Sequence, residues 1–307
     1  MIALAGIHQS YRHAAALLEQ LAGWSACHEV LRQTCYRVSA ALARQQQASA
    51  PEADAFRQAD GPVEFQTDAT TVNTTGGWRD MKIAVFAKRP PGAPAGVEQW
   101  DQRDLPAPAA RVALAAIEEI ERFAARWWPW AERLGAGGQK VSVLGDGAEW
   151  IWEHAEREFP DRQEVLDIFH AGEHLSDLAK AGCGEGTAEA AHWLKEARRA
   201  LLASGYAGLC AYVVGSAAWV PDRAALEAAA PGELNYFCGH RSRLGYAERL
   251  GQGLPIGSGL IEGACKQMIG RRLKQTGAQW LVENADRMAF LCSLAYSDAL
   301  PLYFTAV

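Results

Sequence analysis

The stretch from Val63 to Arg89, "VEFQTDATTVNTTGGWRDMKIAVFAKR", decides the fold class. "VEFQTDATTV" and "WRDMKIAVFAKR" are rich in β-branched and aromatic residues, and Thr-Thr-Gly-Gly lies between them. That pattern predicts two short strands joined as a hairpin. "RPPGAPAG" then marks a loop. Beyond it, "PAARVALAAIEEIERFAARWW" reads as an amphipathic helix, and "GAGGQKVSVLGDG" as a glycine loop, a strand and an acidic strand end. "AEWIWEHAEREF" reads as a helix and "EVLDIFH" as a further strand. Strands alternating with helices predict a mixed α/β sheet.

On the amino-terminal side, residues 1–50 are Ala- and Leu-rich with apolar spacings of three and four, broken at Gly23-Trp24. Two helices joined by a short turn fit, as a DNA-binding helix-turn-helix or as a plain helical hairpin. "QQQASAPEADAFRQADGP" reads as a polar linker. On the other side, residues 175–250 are Ala, Leu, Glu and Arg at helical spacing, which predicts an all-helical insertion. Two further helices are expected in "GLIEGACKQMIGRRLKQ" and "WLVENADRMAFLCSLAYSDAL". The expected division is a helical segment at 1–50, a first part of an α/β core at 60–174, the insertion at 175–250, and the rest of the core at 251–307.

The composition, 49% hydrophobic and 21% charged with 11 Trp, describes a globular chain of 307 residues. No long uncharged apolar run and no signal-peptide order is present, so an intracellular protein with no membrane partner is expected. Seven cysteines without a C-x-x-C pair read as reduced core residues. A formal charge of −6 excludes indiscriminate coating of nucleic acid and requires any such site to be local.

Several motifs fail on inspection. A nucleophile elbow around Ser258 needs Gly where Ile256 and Leu260 stand. No register around Gly257, Gly259 and Gly263 gives a phosphate loop, and "LGAGGQ" precedes a strand instead of following one. "HAGEH" (His170, Glu173, His174) does match the H-x-x-E-H pattern of a zinc peptidase, although Gly172 lies inside it and a third ligand is missing.

Three acids remain. Asp68 and Asp146 each end a predicted strand, where α/β sheets bind ligands. Glu262 falls in the first turn of a helix for which Ser258 is the expected cap. At 100° per residue, Ile261, Ala264, Cys265, Met268 and Ile269 share an apolar side, while Glu262, Lys266 and Lys274 lie opposite with Gly263 and Gly270 between. Two interior glycines cost about 1 kcal/mol each relative to Ala. Close approach of a nucleic-acid backbone or of another helix would explain them.

Asp68 in "TDATTVNTTGGWRDMKIAVF", Asp146 in "VLGDGAEWIW", the "DIFHAGEHL" segment and "LPIGSGLIEGACKQMIGRRLKQTGAQW" together resemble the Kra-type insertion-sequence transposases. These are DDE-superfamily enzymes related to the Mutator-type transposases. The likeness runs from about residue 60 to 295 with its blocks in order, although family members usually carry a longer region ahead of the core. It implies a ribonuclease-H-like mixed sheet flanked by helices and interrupted by the insertion, with the first acid on the first strand and the second on the fourth. The glutamate follows the insertion. The intervals here are 146 − 68 = 78 and 262 − 146 = 116 residues, the longer containing the helical stretch.

The resemblance further implies metal-dependent DNA cleavage and strand transfer with two Mg²⁺ or Mn²⁺ ions, Asp68 bridging both and Asp146 and Glu262 holding one each. Asp167 and His170 match an Asp-x-x-His feature of the Mutator-type relatives and would orient a ligand or the scissile phosphate. Lys266, Arg271, Arg272 and Lys274 would bind DNA phosphates. Expected partners are element-end and target DNA and at least a second copy of the chain, in a nucleoid-associated cytoplasmic setting. Three carboxylates without metal should be strained and partly protonated, since unit charges 4 Å apart repel by about 4 kcal/mol at an effective dielectric of 20. A non-catalytic DNA-binding descendant is the alternative reading.

Overall fold

The computed structural model describes residues 2–305. The predicted hairpin forms with strands longer than the sequence pattern marks: β1 (Val63–Thr74) and β2 (Gly77–Lys88) pair antiparallel from Val63↔Lys88 to Thr74↔Gly77, leaving Thr75 and Gly76 as the turn. β3 (Ala110–Ala116) continues antiparallel beside β2, while β4 (Val141–Gly145) and β5 (Arg162–Leu166) run parallel on the other side of β1. The five-stranded mixed sheet has the order β3-β2-β1-β4-β5.

Fifteen α-helices surround it among the described residues. α1 (Ile2–His8), α2 (Tyr11–Ala22), α3 (His28–Ala48) and α4 (Pro51–Gln58) precede the hairpin. α5 (Ile120–Ala124) and α6 (Trp127–Arg133) lie between β3 and β4, and α7 (Glu149–Glu158) joins β4 to β5. α8 (Ile168–Cys183), α9 (Ala188–Ser216), α10 (Arg223–Gly239) and α11 (Tyr246–Gly251) make the predicted helical stretch. The chain then returns to the sheet through α12 (Gly259–Ala264), α13 (Arg271–Leu273), α14 (Val282–Tyr296) and α15 (Leu300–Thr305).

Alternation along β1 separates two cores, because successive side chains point to opposite faces. Val63 and Phe65 pack on one face with Phe86, Val143 and Trp127, the Phe65 ring lying 4.7 Å from Trp127 and 4.8 Å from both Phe86 and Phe159. Truncating a ring so enclosed costs about 3–5 kcal/mol. The opposite face carries Ile83, Val85 and Ala113 against Ala264, Met268 and Met288. Val72 on β1 joins this second core, but the first half of the strand is polar on that face, with Glu64 and Gln66 buried and Asp68 beyond them.

Four expectations need correction. Residues 110–116 form β3 instead of the start of a helix: alanine favours helix on propensity, but pairing with β2 overrides it and buries Val112 and Leu114 on one face and Ala113 on the other. The edge it exposes is occupied, since Ala113 donates to Ser297 Oγ (2.9 Å) and Ile117 to Asp286 Oδ1 (2.7 Å) at the α14 side. The linker is largely helical, with α3 running to Ala48 and α4 burying Ala53 and Phe56 beneath the sheet. The strand read through "EVLDIFH" stops at Leu166, where Asp167 begins α8, so the expected boundary at 174/175 falls inside a helix. The helix after Gly259 is not uniformly α: residues 265–270 form a π turn, one wider loop of the spiral of the kind that collects at functional sites.

The amino-terminal helices turn at Gly23 (φ 65°) as expected, but they number three where the sequence pattern fits two, because Ser10 caps α2 and separates it from α1; they rest on the far end of the chain. Ser39 donates to the Arg287 carbonyl (3.0 Å). No described helix is long and apolar enough to cross a membrane.

Candidate active site

β1 and β4 are paired in parallel up to Gln66↔Leu144, and Asp68 and Asp146 each stand two residues past that pair. Asp146 follows the last residue of β4, as expected, whereas Asp68 lies within β1, which goes on pairing with β2 to Thr74; both stand where the β1–β4 ladder has stopped and a ligand can enter. α12 lies across this end because Gln66 Oε1 accepts the Ile261 N–H (3.0 Å) and Ile261 packs into the second core. Glu262, next in sequence, is left facing out. A cavity of about 250 Å³ is lined by Asp68, Asp146, Asp167, His170, Ser258 and Glu262, with Glu173 at its edge.

Asp68 is the most constrained of the acids. Burial raises its pKa above the ordinary carboxylate value, and the charges of Asp146 and Glu262 push the same way. The Ala69 N–H, which donates to Asp68 Oδ1 (2.6 Å), opposes them, as does the Cys265 thiol 3.8 Å from Oδ2. That thiol is itself pushed up to about 12, first by burial and then by Asp68, so it stays protonated. Asp146 Oδ1 accepts the Ala148 N–H (3.0 Å), and the Asp146 carbonyl accepts the Tyr236 hydroxyl of α10 (3.2 Å). Gly147 between them has φ 105°, and a Cβ there would stand 2.4 Å from Tyr236 Oη, so only glycine lets the insertion touch this strand end. Glu262 is half exposed and pairs with Lys266, 3.4 Å away on the same helix.

Asp167 is 1% exposed and works as a clamp. One carboxylate oxygen accepts the N–H groups of Phe169 and His170 at the start of α8, the other the N–H and hydroxyl of Ser258. Ser258 was expected to cap α12; it occupies that position, but its hydroxyl is committed to Asp167 instead. His170 is partly exposed, its Nδ1 3.4 Å from Glu173. The H-x-x-E-H segment does lie on one helix, yet His174 is claimed by the insertion, with Nδ1 2.7 Å from Glu233 Oε2 and its ring stacked 3.7 Å from Tyr236.

The four predicted phosphate-binding residues divide. Lys266 and Arg271 are exposed, and Lys274 reaches the Thr70 hydroxyl on β1. Arg272 is buried: its Nε donates to the Gly6 carbonyl (2.6 Å) and its guanidinium lies 4.5 Å from the Tyr11 ring and 5.0 Å from that of Trp280. It joins the amino-terminal helices to the core and is removed from the DNA-contacting set. The reason was available in the helical projection, which puts position 272 one period beyond Met268 on the apolar side. Trp280 fills core, its Nε1 donating to the Leu273 carbonyl (3.0 Å).

Sequence reading missed Gln66, which sits between buried Glu64 and Asp68 on one face of β1. The period-two run Glu-x-Gln-x-Asp was the available signal. It also missed Tyr236, for which no local pattern exists.

The donor set is chemically suited to Mg²⁺ or Mn²⁺, which prefer carboxylate oxygen. Among the described residues, no group of three or more His, Cys, Asp or Glu side chains is gathered closely enough to hold a metal ion as it stands. Asp68 and Asp146 are fixed by their strands, while Glu262 is half exposed and restrained by one surface lysine, an interaction worth at most about 1 kcal/mol. Its side chain is therefore free to turn inward.

No protein-family model matches the chain, and no curated protein matches it.

Proposed function

We propose that the chain is a DDE transposase with a ribonuclease-H-like core, cleaving DNA strands and joining them to a target during movement of an insertion sequence. The observation that carries this reading is the single cleft lined by Asp68 from the first strand, Asp146 from the fourth, and Glu262 from the helix that follows the helical insertion. That order of strands and acids is the one the family resemblance leads us to expect.

Asp68, Asp146 and Glu262 would hold two Mg²⁺ or Mn²⁺ ions, which when bound supply activation of a nucleophile and neutralisation of the leaving oxygen. The reaction is a pair of substitutions at phosphorus. Water first displaces a 3′-oxygen at the element end, and the freed 3′-hydroxyl then displaces a 3′-oxygen in target DNA. No covalent link to the protein is needed, consistent with a Ser258 hydroxyl committed to Asp167. His170, at the cleft edge, orients the scissile phosphate; Lys266, Arg271 and Lys274 hold the flanking backbone. Asp167, through Ser258, sets the start of the helix that carries Glu262.

Strand transfer with pre-cut DNA ends in Mg²⁺ or Mn²⁺ tests the reading. Asp146→Ala should abolish product while leaving DNA binding in place. Full activity of that variant would sink the proposal, and binding without any activity in the wild type would favour the non-catalytic DNA-binding alternative.

A further inference from the structure

Beside the carboxylate cleft lies a second cavity, of about 430 Å³, that the proposed chemistry does not use. Phe169 lines both. Phe169 is 60% exposed, and its ring lies against that of Trp100, with centroids 5.7 Å and planes 52° apart, so the two form one aromatic platform where the cavities meet. The wall behind them carries Gln66, two positions before Asp68 and wholly buried. Gln66 Oε1 is taken by the Ile261 N–H, but Nε2 has no partner among the described residues. An amide donor shut away from water without an acceptor costs about 1–3 kcal/mol, which a ligand oxygen would relieve. Arg103 adds a guanidinium whose Nη1 donates to the Leu254 carbonyl (2.7 Å). The floor is Gly259 and Gly263, either side of Glu262, and a Cβ at either would meet nothing within 4 Å among the described residues. The space is therefore kept open where packing would have admitted a side chain.

An aromatic platform, hydrogen-bond donors and a volume in the range of about 300–1,000 Å³ usual for small-ligand sites describe a receptor for a planar ring with carbonyl oxygens. Accepting the strand-cleaving reading, on which this inference rests, a DNA strand whose phosphate lies against Asp68 and Glu262 brings its neighbouring base to this opening. We propose that the cavity receives one unstacked nucleobase of the cleaved strand, stacked on the platform that Trp100 and Phe169 make together, with its carbonyl edge on Gln66. Guanine, thymine and cytosine carry such an oxygen and adenine does not, so the site discriminates against adenine.

A forked duplex with a single-stranded arm, carrying 5-iododeoxyuridine at successive arm positions, tests this by photocrosslinking and mass-spectrometric mapping. One position should crosslink to Trp100 or Phe169. An abasic nucleotide at that position should weaken binding about tenfold in the wild type, the loss of one aromatic stack. It should weaken binding no further in Trp100→Ala, whose fold is checked by circular dichroism; the wild-type crosslink map decides the matter even where that variant does not fold. Crosslinks only outside the cavity, or an abasic penalty undiminished in folded Trp100→Ala, would overturn the proposal. Metal-dependent cleavage without the crosslink would remove the base pocket and leave the transposase reading standing. The crosslink without cleavage would keep the pocket and remove the transposase chemistry.

Discussion

Ser258 reaches back 91 residues to Asp167 and gives both its N–H and its hydroxyl to one carboxylate oxygen, while the other oxygen caps α8. Ser258→Ala should cost about 1–3 kcal/mol, because a hydrogen bond to a buried charge is lost. Asp167→Ala removes the cap as well and strands the Ser258 donors, so it should cost about 3–5 kcal/mol. Urea denaturation measures both; wild-type stability in Asp167→Ala would remove the clamp from the account.

The raised pKa of Asp68 has a sign that can be checked. A carboxyl whose folded pKa lies above its ordinary value of 3.8 contributes stability below that value and loses it as pH rises through the raised one. At neutral pH without metal the charged side chain is a burden, so Asp68→Asn should melt above the wild type, and the advantage should disappear in acid. A lower melting temperature for Asp68→Asn at neutral pH contradicts this.

Adding Mn²⁺ should reverse that ranking. A ligand at a hundred times its dissociation constant stabilises the folded state by about 2.7 kcal/mol. The wild type should gain in thermal-shift measurements, and Asp146→Asn and Glu262→Gln should lose most of the gain. Equal gains in all three proteins would place the metal elsewhere.

Lys266 and Arg272, six positions apart, should separate cleanly in two assays. Lys266→Ala should reduce the slope of log affinity for DNA against log salt by about 1, the signature of one phosphate contact. Arg272→Ala should leave the slope alone and cost about 2–4 kcal/mol of stability, having lost the Gly6 bond and two cation–π contacts. A reduced slope for Arg272→Ala would restore it to the DNA-contacting set.

The insertion should loosen in mild acid. His240 is pushed down from 6.5 to about 4, first by burial and then by Arg243, which lies 3.0 Å from its Nδ1 and also pairs with Glu164 on β5. A histidine with a depressed folded pKa gives stability that is present above 6.5 and lost as pH falls toward about 4. His240→Gln should flatten that part of the stability profile, followed by denaturation across the window; an unchanged profile would assign the loss to other groups.

The hairpin was legible because a glycine-bearing turn separates two β-rich runs, and Asp146 because it ends such a run; Asp68 was expected at a strand end but lies within β1, which continues to Thr74. β3 was not: Ala110–Ala116 carries the composition of a helix, and only its pairing with β2 and the close seat of α14 make it a strand. α4 was hidden by its polar residues, since Phe56 alone announces a buried face. The three proposed catalytic acids were readable from position, whereas the contacts holding them (Tyr236 on the Asp146 carbonyl, Asp167 on Ser258) join residues 90 and 91 positions apart and leave no local trace. The π turn at 265–270 belongs to the same class, as nothing in "CKQMIG" distinguishes it from an ordinary helix.

The Asp167 clamp, together with the Ile168 N–H bonded to the Ile256 carbonyl (3.0 Å), closes the helical excursion as a purse-string closes a bag. Everything needed for the two strand-borne acids is synthesised before that closure, and the glutamate only after it. A nascent chain interrupted before Ser258 carries two of the three proposed ligands and an uncovered polar face on β1. The proposed acid set is thus complete only in chains extended beyond Ser258, and any chemistry that needs all three acids is withheld until then.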